Sequence, residues 1–335
     1  MMRYLPFLCY NLKKYYFVFK KSQTLFLVGV VLMVELSFLA FFIEPTDYKY
    51  LYLALLLVIG TSLNVWLFYR FLYKRQVSAP AESYWNNEEE RIRTSLAIAE
   101  KIQKHLLPEL RSPVNGLDIY AKCRPSDEIG GDFYQIIPLA AHQTLISMGD
   151  VAGHGLPSAM VSIIVDTLLY AFMDESDLLS MVAKMNAILY QRIDPTLFST
   201  LLLLKWDEKK QMMHGAGAGF GRFLHYQSHS NQIAVIKGGG IALGMVADSA
   251  KQIAHHQFPL LSGDVLVLYT DGIPEMRNPL GERLGVDRLQ TMVMKHCSLT
   301  SSEEIFEAVS QDILNFAGTA KLIDDVTLMI IRRVC

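Results

Sequence analysis

Five aspartates stand in a recurring context. Asp132 follows two glycines in IGGDFY, and Asp150 closes an apolar run before a glycine-rich turn in SMGDVAGHG. Asp271 ends the strongest strand-like run in VLVLYTDG, and Asp324 and Asp325 open the last one in IDDVTLMII. Taken singly, each reads as a turn or capping residue. Taken together, they sit where the ends of apolar segments can project them onto a common edge. Oxygen donors without His or Cys select Mg2+ or Mn2+ over zinc. Such a set can hold two ions about 4 Å apart, which activate a water for attack on phosphorus and neutralise the phosphoryl oxygens. Gly130, Gly131, Gly149, Gly153, Gly155 and Gly272 flank these positions and let backbone and substrate approach closely. The chemistry indicated is metal-assisted phosphoester hydrolysis.

The elements that must position these groups come in blocks. From Gly116 onward, short β-rich runs appear: LDIYAKCR, DFYQIIPL, QTLISMGD, FSTLLLLKW, DVLVLYTD and DDVTLMIIRR. Amphipathic stretches near residues 156–173, 178–191, 286–295 and 302–316 read as helices. Blocks without strict alternation favour an α+β fold, a sandwich of mostly antiparallel sheets covered by helices. The chain of 335 residues is long enough for about two domains. Its 31 basic and 33 acidic residues give a net charge of −2, which argues against a nucleic-acid partner. With 51% hydrophobic and 19% charged residues the chain is not a disordered one. Four scattered cysteines, Cys9, Cys123, Cys297 and Cys335, form neither a zinc motif nor a disulfide framework.

Residues 1–75 read as a membrane anchor. Residues 25–43 carry one charge, Glu35, and residues 50–69 carry none. Each stretch has about the 20 apolar residues that a transmembrane helix needs. The link between them is too short for a sensor domain, so the two helices are expected to form a hairpin. Arg3, Lys13, Lys14, Lys20 and Lys21 precede the first span, and Arg70, Lys74 and Arg75 follow the second. The positive-inside rule then puts both termini in the cytoplasm, at the inner membrane. Residues 76–108 read as a linker and a signalling helix, with Asn87 as N-cap, Glu90 as its N3 partner and Pro108 as the stop. Ile92, Leu96, Ala99, Gln103 and Leu106 follow a four-three spacing. That spacing fits a short coiled-coil seam, and so a homodimer, and equally a surface helix packed on the next domain.

The strings PSDEIGGDFY, GDVAGHGLPSAM, GDVLVLYTDGIPEMRN and DDVTLMII resemble the SpoIIE-type branch of the metal-dependent, protein phosphatase 2C-like Ser/Thr phosphatases. EKIQKHLLPEL, FSTLLLLKWD and GGGIALGM follow the same collinear order, so the resemblance spans about residues 98–333. It implies an αββα sandwich over residues 109–335, with a dinuclear Mn2+ or Mg2+ site at one end. On this sequence the implied ligands are Asp132, Asp150 as the bridge, the main-chain carbonyl of Val151, Asp271 and Asp324, with Asp325 as a further candidate. Glu275 fits the acidic position after TDG, outside the ligand set. The implied substrate is a phosphorylated anti-anti-sigma (STAS-type) protein in a partner-switching pathway.

The chain also departs from the family pattern. HGAGAGFGRF stands where members commonly carry an Asn-Ala-Gly-His-Asn-like string, so Ala218 replaces the histidine; Gln135 stands where many have an acid. These changes motivate a rival reading, a pseudophosphatase that binds its partner without turnover. His154 reads either as a general acid near Asp150 or as packing for the GHG turn. Arg222 and Arg124 are candidates for phosphate contact, with no direction fixed by the sequence.

Overall fold

The computed structural model describes residues 90–108, 111–114 and 116–334, together with short pieces between 54 and 70. The expected first span, residues 25–43, lies outside the described residues, as do the residue 76–84 linker and Asn87. Within 50–69 the described residues are helical. Among the described residues no helix is long and apolar enough to cross a membrane. The chain divides into two compact units at residues 90 and 91, and the second carries the site.

The second unit begins with helix α1, residues 90–106. Eleven strands follow in two antiparallel sheets. One sheet has the order β1 (Arg111–Val114), β2 (Leu117–Arg124), β11 (Val326–Arg333), β10 (Val265–Tyr269), β7 (Phe220–Gln227), β8 (Gln232–Gly239). The other has the order β3 (Phe133–Leu139), β4 (Gln143–Val151), β5 (Ser199–Asp207), β6 (Met212–Ala218), β9 (Ala254–Pro259). Helices α2 (Leu156–Phe172) and α3 (Leu178–Arg192) cover the second sheet. The short α4 (Gly272–Glu275), α5 (Gly285–His296) and α6 (Ser302–Ala317) lie on the first. The expected αββα sandwich is the observed one.

Alternation along the strands explains the uninterrupted apolar runs. In β10, Leu266 and Leu268 enter the core between the sheets, while Val265, Val267 and Tyr269 face the helices. In β5, Leu202, Leu204 and Trp206 point between the sheets, and Leu201 and Leu203 toward α2 and α3. A strand buried on both faces has no polar side to show, so its sequence does not alternate. Helix starts are fixed locally. The Asp177 side chain accepts from the amides of Leu179 and Ser180 at α3, and Ser301 accepts from the amide of Glu304 at α6.

Both expectations for α1 meet a partial answer. The helix packs on its own domain near its C-terminal end, where Gln103 and Leu107 are half-buried. Ile92, Ile98 and Ile102 remain exposed.

Candidate metal centre and cleft

The registers bring the aspartates to one end. Phe133 pairs with Gly149, so Asp132 and Asp150 stand at neighbouring ends of β3 and β4. Tyr269 pairs with Leu328, which sets Asp271 beside the start of β11 and the Asp324–Asp325 pair. The sheets are joined there through Asp132, whose Oδ2 accepts from Thr270 Oγ1 at 2.8 Å and Thr327 Oγ1 at 2.6 Å. Asp132 is 2% exposed, and its Oδ1 is buried without a hydrogen-bond partner.

The electrostatics follow from that crowding. Burial raises the Asp150 carboxyl to about 9, with the charges of Asp132, Asp271, Asp324 and Asp325 adding to it. Burial likewise raises Asp132 to about 7, against the two threonine hydrogen bonds. Asp271 and Asp324 are raised by burial first; the charge of Asp324 adds to Asp271, that of Asp325 to Asp324, and Glu275 adds to both. Burial and neighbouring carboxylates push these groups toward protonation, and only Asp324 has an opposing positive charge acting on it, that of His154.

That imbalance is the fit test for divalent cations. An orphaned, buried Asp132 oxygen, an all-oxygen donor set and mutual destabilisation of the charged forms suit Mn2+ or Mg2+. Among the described residues, no group of three or more His, Cys, Asp or Glu side chains is drawn together tightly enough to hold an ion unaided. The acids share one end of the sandwich without converging on a point.

The Asp324–Asp325 pair splits by geometry. Asp325 is 3% exposed, and both its oxygens are engaged. Its Oδ1 accepts from the amide and hydroxyl of Ser126, and its Oδ2 from the Gly131 amide at 2.7 Å. It therefore clasps the loop that carries Asp132. Asp324 is the more open of the two and accepts only from the Asp325 amide. The two glycines before Asp132 are required by close approach. A Cβ on Gly130 would lie 2.6 Å from Asp325 Cγ, and one on Gly131 would lie 2.7 Å from the Val151 carbonyl oxygen. That carbonyl therefore sits against the Asp132 loop, next to the Asp150 carboxyl.

A cleft of about 290 Å³ opens beside the acids, lined in part by Asp150, Thr200, Gly219, Arg222, Tyr269 and Asp271. The divergent HGAGAGFGRF segment forms one of its walls. Arg124 ends β2, exposed, and does not line the cleft. His154 is also exposed and pairs through Nδ1 with Asp127 Oδ2 at 3.1 Å. Its charge lowers the Asp324 carboxyl, so it lies near that residue, outside the cleft wall. Glu275 accepts from Arg283 at 3.2 Å.

Sequence reasoning passed over Thr270 and Thr327, although each stands within a motif it singled out, TDG and DDVT. It also treated Gln135 only as a departure. The Gln135 amide donates to the Leu106 carbonyl at 2.6 Å. It also favours the charged form of the nearby Asp166 carboxyl, which burial raises. A carboxylate at 135 could not donate to Leu106, so glutamine matches its partner here. Gln103 brackets Gly130, donating to its carbonyl at 2.6 Å and accepting from its amide at 3.3 Å. Helix α1 is thus bonded to the loop that carries Asp132.

Comparisons with known proteins agree with this geometry. A family model described as stage II sporulation protein E (SpoIIE) matches residues 140–334. The chain is 28% identical over 251 residues to the phosphoserine phosphatase RsbU of Bacillus subtilis, covering 73% of this chain and 72% of RsbU. It is 24% identical over 269 residues to protein IcfG of Synechocystis sp., covering 72% of this chain but only 42% of IcfG. Among solved structures, the SiaA-PP2C domain of Pseudomonas aeruginosa superposes with a TM-score of 0.64 at 23% identity, covering 73% of this chain and 97% of that domain. The RsbU and RsbW domains of Rv1364c from Mycobacterium tuberculosis give 0.56 at 21% identity, covering 65% of this chain and 60% of that one. At those identities the structural likeness speaks for the fold.

Proposed function

The chain belongs to the SpoIIE family, and from that premise we propose that it is a metal-dependent protein phosphatase that hydrolyses phosphoserine or phosphothreonine on a partner protein. The observation that carries this reading is the acid-lined end of the sandwich: Asp132, Asp150, Asp271 and Asp324 within electrostatic reach of one another beside an open cleft. Asp132, Asp150, the Val151 carbonyl, Asp271 and Asp324 would hold two Mn2+ or Mg2+ ions. Divalent cations, when bound, supply the Lewis acidity that activates water and neutralises the phosphoryl oxygens. Thr270 and Thr327 fix the Asp132 carboxylate, so that its second oxygen is turned away from them. Asp325 fixes the loop behind it. His154, exposed and paired with Asp127, would serve as the general acid that protonates the leaving alkoxide.

The similarity to the phosphoserine phosphatase RsbU supports a phosphoserine substrate, and the family resemblance of the motifs implies a STAS-type anti-anti-sigma protein as its carrier. Residues 25–43 and 50–69 would anchor the chain in the bacterial inner membrane, with the catalytic domain in the cytoplasm. Helix α1 would carry the signal, through Gln103 to the Asp132 loop, and its exposed Ile98 and Ile102 would serve a homodimer. The Ala218 segment in the cleft wall keeps the non-catalytic reading in view. Release of phosphate from a phosphoserine STAS protein, measured with Mn2+ and with chelator, decides between them. Metal-dependent release is expected; tight binding without release would establish the pseudophosphatase instead.

A further inference from the structure

Beside the acids the cleft has lining of a different character. Strands β10 and β7 pair with Val265 opposite Tyr226 and Val267 opposite Leu224. The pairing ends there, and Tyr269 and Arg222 lie two residues beyond it on the two strands. Both line the cleft with Asp150 and Asp271. On the other side, β8 sets Lys237 directly opposite Arg222. Lys237, Arg222 and Tyr269 therefore come from three neighbouring strands of one sheet, with Arg222 and Tyr269 meeting in the cleft.

Each of the three lacks a partner of its own. Tyr269 is 3% exposed, yet its hydroxyl is buried without a hydrogen bond. Arg222 and Lys237 are exposed, and neither joins an ion pair among the described residues. By contrast, the neighbouring Arg283 and Arg288 are each matched to a glutamate. Two like charges directly opposed across strands are unfavourable. An unsatisfied buried hydroxyl is unfavourable as well. An anion in the cleft relieves both, and the planar guanidinium fork suits a tetrahedral oxyanion.

We propose that Arg222 and Tyr269 bind the phosphoryl oxygens of the substrate in the cleft they share with Asp150 and Asp271, with Lys237 beside Arg222 adding positive potential. This inference rests on the phosphatase reading and names how that site takes its substrate. It makes Arg222 and Tyr269 substrate-binding residues and leaves metal binding to the acids.

The test is inorganic phosphate binding by calorimetry in Mg2+, with the full chain in detergent, alongside Mn2+ affinity and turnover of a phosphoserine peptide. Arg222→Ala is expected to weaken phosphate about tenfold or more and to raise KM by a similar factor, with kcat changed less and Mn2+ affinity unchanged. Arg222→Lys should recover part of the loss. Tyr269→Phe keeps the packed ring and should weaken phosphate by a few-fold. Unaltered phosphate affinity in both Arg222→Ala and Tyr269→Phe would overturn the inference, whatever the activity. Absence of turnover by the wild type, with phosphate binding still dependent on Arg222, would instead remove the phosphatase reading and leave the anion site standing.

Discussion

Thr327 donates its hydroxyl to Asp132 at 2.6 Å, and the two residues come from different sheets of the sandwich. This bond, with its Thr270 counterpart, leaves one Asp132 oxygen committed and the other buried and unpaired. A carboxylate so oriented presents one free oxygen to a cation. Thr327→Val keeps the shape and removes the donor. Its Mn2+ affinity, measured by calorimetry, is expected to fall by about 10- to 100-fold, the range for partners that orient a metal ligand. An unchanged affinity would show that packing alone orients Asp132.

The adjacent acids Asp324 and Asp325 should respond differently to truncation. Asp325→Ala strands the Ser126 and Gly131 amides in a buried loop. The expected cost is about 3 kcal/mol or more in urea unfolding, because several bonds to a charged acceptor are lost together. Asp324→Ala removes a more open side chain with one local bond. It should unfold close to the wild type while losing Mn2+ affinity and turnover. Equal destabilisation by both variants would contradict the division of labour.

Chelated protein should lose stability as pH rises. The folded-state pKa values of Asp132 and Asp150 lie above the ordinary carboxylate range, at about 7 and about 9. The folded chain therefore keeps protons that the unfolded chain has released, and stability is greatest below about pH 4 for these groups. It declines as pH climbs toward 9. Melting curves in EDTA between pH 6 and 9 are expected to shift downward, and saturating Mn2+ should cancel the trend. A flat profile in EDTA would mean that the acids are not mutually destabilised.

Restoring an acid at position 135 should loosen α1. Gln135→Glu places a carboxylate beside Asp166 and removes the donor to the Leu106 carbonyl. A loss of about 1–3 kcal/mol is expected, with faster amide exchange around Leu106 and Leu107. Gln103→Ala should instead speed exchange at Gly130 and Gly131 and lower turnover, with little change in the core. Unaltered exchange at Gly130 would detach the helix from the Asp132 loop.

The aspartate motifs, the block order of strands and helices, and the strongest elements were all readable from residue type alone. β4, β5, β10 and β11 are long apolar runs, and α2, α3, α5 and α6 carry helical periodicity, so local sequence declares them. The strand β6, MMHGAGA, was not readable: it is rich in glycine and has no β-branched residue. It is held extended by pairing with β5 and β9 on either side, and a Cβ on Gly217 would overlap the Gly238 carbonyl. β7 and β8 were not readable either, nor was the meeting of Tyr269 and Arg222 in one cleft.

Residue chemistry by itself determined that oxygen-donor aspartates end apolar segments, because ligand type and hydrophobic pattern are local properties. Only the tertiary structure decided which oxygens are free. Asp325 spends both on the backbone of a loop 194 residues away, while Asp132 spends one on two threonines and keeps one. Adjacent or identical side chains differ in this way because hydrogen-bond partners arrive from distant strands, through registers that no local pattern encodes.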